Sequence, residues 1–210
     1  MKKYKLLICV CCLSVILVVC ILGAAWITLR GISWGYAREV SDSEKVLRQQ
    51  IIAAAESWLG SNETDNSHRE IIDIYNRHEP LAQNYKVKYS DEWCATFGST
   101  VAIQCGLTDI IPTECGCQRQ IALFKQQNAW QEDDAYIPLP GDYIFYALKN
   151  RDTGDCTAWS DHVGIVIGTW NHYIKVIEGN FNSAVAYRII PVDDQSIRGF
   201  ATPDYNHLTQ

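Results

Sequence analysis

The spacing of apolar residues changes partway along the chain. Before about residue 128, apolar side chains recur every three or four positions, which is the period of an amphipathic helix. After Pro140 they form short runs rich in β-branched and aromatic residues, separated by turns, which is typical of strands. Helices first and strands afterwards predict an α+β domain whose N-terminal helices pack on one face of an antiparallel β-sheet.

The helical part of the pattern divides at recognisable start and stop signals. Capping boxes at residues 41–44 and 67–70 open the first two helices, Gly60 ends the first and Pro80 ends the second. Gly106 ends the third helix. The predicted helices span residues 41–59, 67–79, 93–105 and 117–128.

The strand part of the pattern predicts a hairpin with consequences for chemistry. The strand-like runs are YIFYAL from Tyr143, HVGIVIGT from His162, YIKVIEG from Tyr173 and VAYRII from Val185. If the second and third runs pair around Asn171, the start of one lies beside the end of the other. His162 and Glu178 would then fall at the same end of the hairpin.

The N-terminal apolar run predicts a membrane segment. Residues 6–29 are long enough to cross a bilayer, which needs about 20 apolar residues. Basic residues before the run place the N-terminus in the cytoplasm. We therefore expect a single transmembrane anchor at 6–29, a spacer at 30–42 and an extracytoplasmic domain at 43–210. A cleaved signal peptide is the alternative, since Gly23-Ala24-Ala25 could mimic a cleavage site.

Charge excludes one class of partner. All 24 acidic residues follow the apolar run, whereas four of the 18 basic residues flank it. The remainder is therefore acidic, while a nucleic-acid surface needs clustered Lys and Arg. We expect no nucleic-acid partner.

The cysteines outside the apolar run are odd in number, so at least one is free or pairs with another molecule. They are Cys94, Cys105, Cys115, Cys117 and Cys156. Cys115-Gly-Cys117 lacks the two-residue gap of a zinc hairpin, so no metal is expected. Cys156 is favoured to pair with Cys115 or Cys117, but the domain is large enough for any bridge to be dispensable.

One cysteine is placed for reactivity. Cys94 begins a predicted helix, where unpaired N–H groups and the helix dipole favour a thiolate. Cys117 also begins a predicted helix, so the dipole alone does not choose between them. A nucleophilic thiol needs a base, and the base needs a third group to orient it. His162 and Glu178 fit those two roles. The remaining histidines are predicted to lie at the surface: His68, His78, His172 and His207.

Four short motifs follow one another in the order of a known family. They are EWCATF around Cys94, PGDYIFY from Pro140, SDHVGIV around His162 and IEGN ending at Asn180. With them, the region from about Trp58 to Tyr205 resembles the CHAP family of cysteine- and histidine-dependent amidohydrolases and peptidases, within the NlpC-type superfamily. The resemblance implies a papain-like fold and hydrolysis of peptidoglycan amide bonds without a cofactor. It also implies four catalytic residues: Cys94, His162, Glu178 and Asn180.

One position departs from the family. Many CHAP enzymes carry Gln immediately before the nucleophile, where this chain has Trp93. The Cys94 N–H can serve an oxyanion hole, but the sequence does not identify a second donor. Trp93 and Trp159 are predicted to bind sugar or stem peptide. Some relatives bind Ca²⁺, but the loop at 150–155 is better explained as a polar turn.

These observations predict a membrane-tethered extracytoplasmic peptidoglycan hydrolase that works through a thioester. A muramoyl–alanine amidase and a stem or cross-bridge endopeptidase would use the same chemistry, and the sequence does not separate them. Two other functions remain open: an inactive wall-binding module, and an acyltransferase in which an amine or alcohol replaces water.

Overall fold

The structure of the protein, a computed structural model, describes residues 34–133, 135–149 and 158–206. The predicted membrane anchor at 6–29, the loop at 150–155, Cys156 and His207 lie outside the described residues. Within them, no helix is long and apolar enough to cross a membrane. The predicted fold class included a transmembrane helix and is therefore corrected: the described fold is an α+β domain.

Helices and an antiparallel sheet make up the described fold. The helices are α1 (Asp42–Glu56), α2 (His68–Arg77), α3 (Cys94–Cys105) and α4 (Cys117–Gln126), with a 3₁₀ turn at Ala82–Asn84. The strands are β1 (Trp130–Gln131), β2 (Tyr143–Tyr146), β3 (His162–Trp170), β4 (Tyr173–Phe181), β5 (Ala184–Pro191) and β6 (Ile197–Ala201).

The strands form one six-stranded sheet in the order β1-β6-β2-β3-β4-β5, with every neighbouring pair antiparallel. The predicted hairpin is present, since β3 and β4 pair directly across the turn at Asn171. Strands β1 and β6 were not predicted. Gly35, in the predicted spacer, also pairs with Thr169 at the far end of β3.

The helix signals hold in part. The Ser41 side chain accepts the Glu44 N–H at 3.2 Å, which is one of the two bonds of a capping box, but α1 ends at Glu56 rather than near residue 59. Gly106 follows α3 in the left-handed conformation that the stop signal predicted. Ser67 does not cap α2, because its hydroxyl bonds to Asp65 at 2.5 Å instead.

The Pro-Gly-Asp segment fastens the sheet to α1. Asp142 is fully buried at the start of β2 and accepts hydrogen bonds from Arg48 at 2.8 Å and from the Tyr136 hydroxyl at 2.6 Å. Arg48 also donates to Glu44 at 2.7 Å and to the carbonyl of Pro140 at 2.8 Å. Within the described structure, this segment therefore has a structural role: it holds the first helix against the strand beside β3.

The helix that begins at Cys94 packs unusually close to the sheet. A Cβ on Gly179 of β4 would lie 2.4 Å from the Cβ of Phe97 in α3. Real Cβ contacts essentially never come so close, so only glycine permits this approach. The spacing brings the N-terminal end of α3 to the strand that carries Glu178.

Candidate active site

Cys94 is the first residue of α3 and is 4% exposed. No side chain caps this helix start, so its first N–H groups are available to a negative charge. One of them, the Ala95 N–H, hydrogen-bonds to the Cys94 sulfur and helps to lower the pKa of the thiol. The predicted placement at a helix start is thus present in the structure.

Cys117 stands against Cys94. It is the first residue of α4, and its Sγ lies 3.6 Å from the Cys94 Sγ. The pKa of Cys94 is lowered chiefly by the hydrogen bond from Cys117 and then, against the effect of burial, by His162. The same contact, followed by burial, raises the pKa of Cys117. The raised pKa favours the protonated form of Cys117, which makes its thiol the donor of the hydrogen bond to the Cys94 thiolate.

His162 and Glu178 meet across the hairpin as the sequence predicted. The Nε2 of His162 lies 3.0 Å from Oε2 of Glu178, and both side chains are buried. Because Nε2 faces the carboxylate, Nδ1 is the ring nitrogen left for Cys94. Burial alone would lower the pKa of His162, but hydrogen bonds to Cys94 and Glu178 outweigh it and raise the pKa to about 10. The pair is thus held as thiolate and imidazolium.

A glycine makes room for this contact. Gly164 lies two positions after His162, on the same face of β3. A Cβ at that position would lie 2.7 Å from the Cγ of Glu178 and 2.5 Å from a methyl carbon of Val176. The absent side chain lets the Glu178 chain run alongside β3 and reach the imidazole.

Arg188 is a site residue that sequence reasoning missed. Its guanidinium forms an ion pair with Glu178, with a nitrogen 3.0 Å from Oε2, the same oxygen that faces His162. In β5, Ala186 stands opposite Glu178, so Arg188 is a diagonal neighbour of the carboxylate. A single Arg inside the apolar run VAYRII was the available signal. With Arg188 included, negative and positive groups alternate through the site: the Cys94 sulfur, the His162 ring, the Glu178 carboxylate and the Arg188 guanidinium.

Tyr146 closes the far side of the site. Its ring centroid lies 5.8 Å from that of His162 and 5.0 Å from the Arg188 guanidinium. Its hydroxyl and Oε1 of Glu178 are both buried without a well-formed hydrogen bond to any described residue. Burial, followed by the Glu178 charge, raises the pKa of Tyr146. The Tyr146 ring packs beside the imidazole, and the two unsatisfied atoms are its own hydroxyl oxygen and Oε1 of Glu178.

Asn180, the fourth residue that the family resemblance implies, hydrogen-bonds away from the imidazole. Its side chain donates to Oε2 of Glu92 at 2.6 Å, two residues before Cys94. The described residue that holds the His162 ring is Glu178. Asn180 ties the end of β4 to the segment that leads into α3.

The two tryptophans that were predicted to bind substrate differ in their exposure. Trp93 is fully buried and donates from Nε1 to Glu63 at 3.0 Å, so its predicted role in substrate binding is corrected to a role in the core. Its ring packs on His68, which is 3% exposed and was wrongly predicted to lie at the surface. Trp159 is 70% exposed and precedes His162 by three residues, and its role in substrate binding stays a prediction.

Gln118 supplies an amide near the reacting pair. It follows Cys117, and its Oε1 accepts the N–H of Ser160 at 2.9 Å, two residues before His162. A backbone N–H can only donate, so this bond fixes Oε1 toward Ser160 and leaves the NH₂ group on the other side. The sequence offered no signal for this placement, because the two segments are distant along the chain.

The arrangement supports nucleophilic chemistry at sulfur. The thiolate interacts with the imidazolium, and the imidazolium interacts with the carboxylate. These are the nucleophile, the base and the orienting group that covalent catalysis uses. Among the described residues, no group of three or more Cys, His, Asp and Glu side chains is arranged to hold a metal ion.

Comparisons with known proteins add little to this geometry. No protein-family model matches the chain, and no curated protein matches it. Among solved structures, one described as "The crystal structure of Ly7917" matches with a TM-score of 0.43 and 12% sequence identity. The match covers 75% of this chain and spans 62% of the other.

Proposed function

We propose that this protein is a cysteine-dependent hydrolase that cleaves an amide bond of peptidoglycan. The observation that carries the proposal is the contact of His162 with Glu178 beside the Cys94 thiol. The substrate class is proposed from the four motifs that resemble the CHAP family. Because peptidoglycan lies outside the cytoplasmic membrane, we propose an extracytoplasmic site of action.

The first half of the reaction follows from the charges of the pair. The Cys94 thiolate attacks the carbonyl carbon of the scissile amide and forms a tetrahedral oxyanion. The His162 imidazolium then protonates the leaving amine, and a thioester to Cys94 remains. Glu178 holds the ring at Nε2, which leaves Nδ1 for the sulfur, and the ion pair with Arg188 fixes the carboxylate in turn.

Two donors are proposed for the oxyanion. The Cys94 N–H is one of the free donors at the start of α3. The Gln118 amide is proposed as the second, in place of the Gln that many relatives carry where this chain has Trp93. The bond from Ser160 holds Gln118 in position.

The second half returns the enzyme to its starting state. With its proton given up, His162 takes a proton from water, and the resulting nucleophile attacks the thioester. The carboxylic acid is released, and the thiolate–imidazolium pair is restored.

Digestion of purified sacculi tests the proposal. Mass spectrometry of the products should show new amine ends, at L-Ala for an amidase or within the stem or cross-bridge for an endopeptidase. Cys94→Ala is the matched control and should release nothing. Acyl transfer would consume as many amines as it frees, so a product with a new amide partner would assign that activity instead. Wild-type protein that leaves the sacculus unchanged would contradict the proposal.

A further inference from the structure

Two free thiols touch inside the candidate site. The Sγ atoms of Cys94 and Cys117 lie 3.6 Å apart, and the residues are 4% and 7% exposed. A disulfide has an S–S bond of about 2.05 Å, so the two sulfurs need to approach by only ~1.5 Å from their present distance of 3.6 Å. Each cysteine begins its helix, where it is the first residue held by the helical hydrogen bonds.

The other described cysteines are engaged elsewhere. The Cys105 thiol donates to the carbonyl of Gln50 at 3.7 Å from the opposite end of α3. The Cys115 thiol donates to Oε1 of Glu114 at 3.5 Å. Among the cysteines that the structure describes, Cys117 is thus the one placed to react with the Cys94 sulfur.

We propose that Cys94 and Cys117 form a site of reversible oxidation, in which Cys117 resolves an oxidised Cys94 into an intramolecular disulfide. The disulfide inactivates the Cys94 nucleophile and protects its sulfur from further oxidation. This role goes beyond hydrolysis and needs no peptidoglycan. It rests on the proposed function only in taking Cys94 as the nucleophilic thiolate.

The oxidant is a hydroperoxide, with hydrogen peroxide as the simplest case. The Cys94 thiolate attacks one peroxide oxygen, giving the sulfenic acid and releasing hydroxide. The Cys117 sulfur then attacks the Cys94 sulfur, the S–O bond breaks, and the hydroxyl leaves with the Cys117 proton as water. Two electrons pass from the two sulfurs to the peroxide. A dithiol reductant reverses the change by thiol–disulfide exchange.

The contact between the Cys94 and Cys117 sulfurs also determines which thiol reacts first with the oxidant. While Cys94 is a thiolate, its hydrogen bond and its charge both help to hold the proton on Cys117. A thiol in that state is a poor nucleophile, so oxidant reacts first at Cys94. Once the Cys94 sulfur is uncharged, the effect of its charge disappears, and Cys117 loses its proton more readily than before. Reaction at the first sulfur thus activates the second.

Peptide mapping of the full chain after graded hydrogen peroxide tests the proposal. Wild type should show a Cys94–Cys117 cross-link with the loss of two hydrogens, and reductant should restore iodoacetamide labelling of Cys94. Cys117→Ser keeps a hydrogen-bond donor but cannot cross-link. Its Cys94 should pass to sulfinic and sulfonic acids, leaving about tenfold less labelling recoverable by reductant. Cys115→Ser is the matched control and should behave as wild type.

Two results would overturn the proposal. One is a wild-type protein whose Cys94 is over-oxidised as fast as in Cys117→Ser; the other is a cross-link from Cys94 to a cysteine other than Cys117. Should Cys117→Ser fail to fold, the wild-type map alone decides, because the cross-link is either found or absent. The readout is a peptide mass, so the result is separate from whether the protein digests sacculi.

Discussion

Two buried charge networks lie at opposite ends of β2, and they differ in how completely they are satisfied. The scaffold network holds α1 against the start of the strand and consists of Glu44, Arg48, Asp142 and Tyr136. The site network lies where His162 pairs with Tyr146 at the end of the strand and consists of Cys94, His162, Glu178 and Arg188.

In the scaffold network, both oxygens of the buried carboxylate have donors. Oδ1 of Asp142 accepts from Arg48, and Oδ2 accepts from Tyr136 and from the N–H of Leu139. In the site network, His162 and Arg188 both approach Oε2 of Glu178, while Oε1 has no well-formed hydrogen bond among the described residues. A network whose buried groups all have partners fixes a shape, whereas an unsatisfied buried polar group often marks a place where chemistry is done.

Loss of the nucleophile or its base should have the largest effect. Cys94→Ala and His162→Ala should each lower hydrolysis of sacculi by roughly 10⁴-fold or more, because the thiolate and its proton donor act as one unit. Both variants should stay folded, as judged by circular dichroism. Cys105→Ala and His172→Ala remove the same residue types outside the site and should retain activity. Equal losses in these controls would refute the division between networks.

Breaking the scaffold network should affect stability instead. Asp142→Ala removes one of the two carboxylates that pair with the buried Arg48, leaving Glu44 alone, and should lower the free energy of unfolding by about 3 kcal/mol. Asp42→Ala, which removes a fully exposed carboxylate paired with Lys45, should leave it nearly unchanged. Urea unfolding measures both. An Asp142→Ala protein as stable as wild type would show that the network does not hold α1.

Removing the Glu178 charge should change the pH profile as well as the rate. Hydrolysis needs Cys94 ionised and His162 protonated, so it falls as pH rises through the raised pKa of His162. Because Glu178 is one cause of that raised pKa, Glu178→Gln should move the alkaline limit to lower pH. The rate at the optimum should drop roughly 10²-fold. An alkaline limit that does not move would mean that Glu178 only packs against the ring.

The proposed oxyanion donor can be tested with an isosteric change. Gln118→Glu keeps the oxygen that accepts from Ser160 but loses the donating NH₂ group. We expect kcat to fall by roughly 10²-fold with little change in KM, since an oxyanion donor acts in the transition state. Gln127→Glu, on the exposed end of α4, controls for the added charge. Unchanged kcat in Gln118→Glu would exclude the amide as a donor.

The features predicted from sequence are those carried by local pattern. Cys94 at a helix start, and His162 facing Glu178, follow from capping, periodicity and a short hairpin turn. The missed strand β6 contains Arg198 and Gly199, which interrupt its apolar pattern. A positive φ of 145° at Gly199, beside a shift in the β2–β6 register, explains why glycine stands there.

The features that sequence could not give depend on distance in space. Arg188 reaches Glu178 only through the register of β4 with β5, and Cys117 meets Cys94 only where two helix starts converge. Trp93 was misassigned because its place next to Cys94 in the chain says nothing of which way its side chain points. Its ring points into the core, away from solvent.

The pH dependence of Cys94 alkylation tests the central claim most directly. Iodoacetamide labelling of each cysteine would be followed by peptide mass spectrometry from acidic to alkaline pH, in wild type and in His162→Ala. We predict that Cys94 labels fastest, that its labelling persists well below the ordinary cysteine pKa of about 8.5, and that His162→Ala shifts it toward that value. Labelling of Cys94 that rises only near the ordinary value and ignores His162 would contradict the thiolate–imidazolium pair.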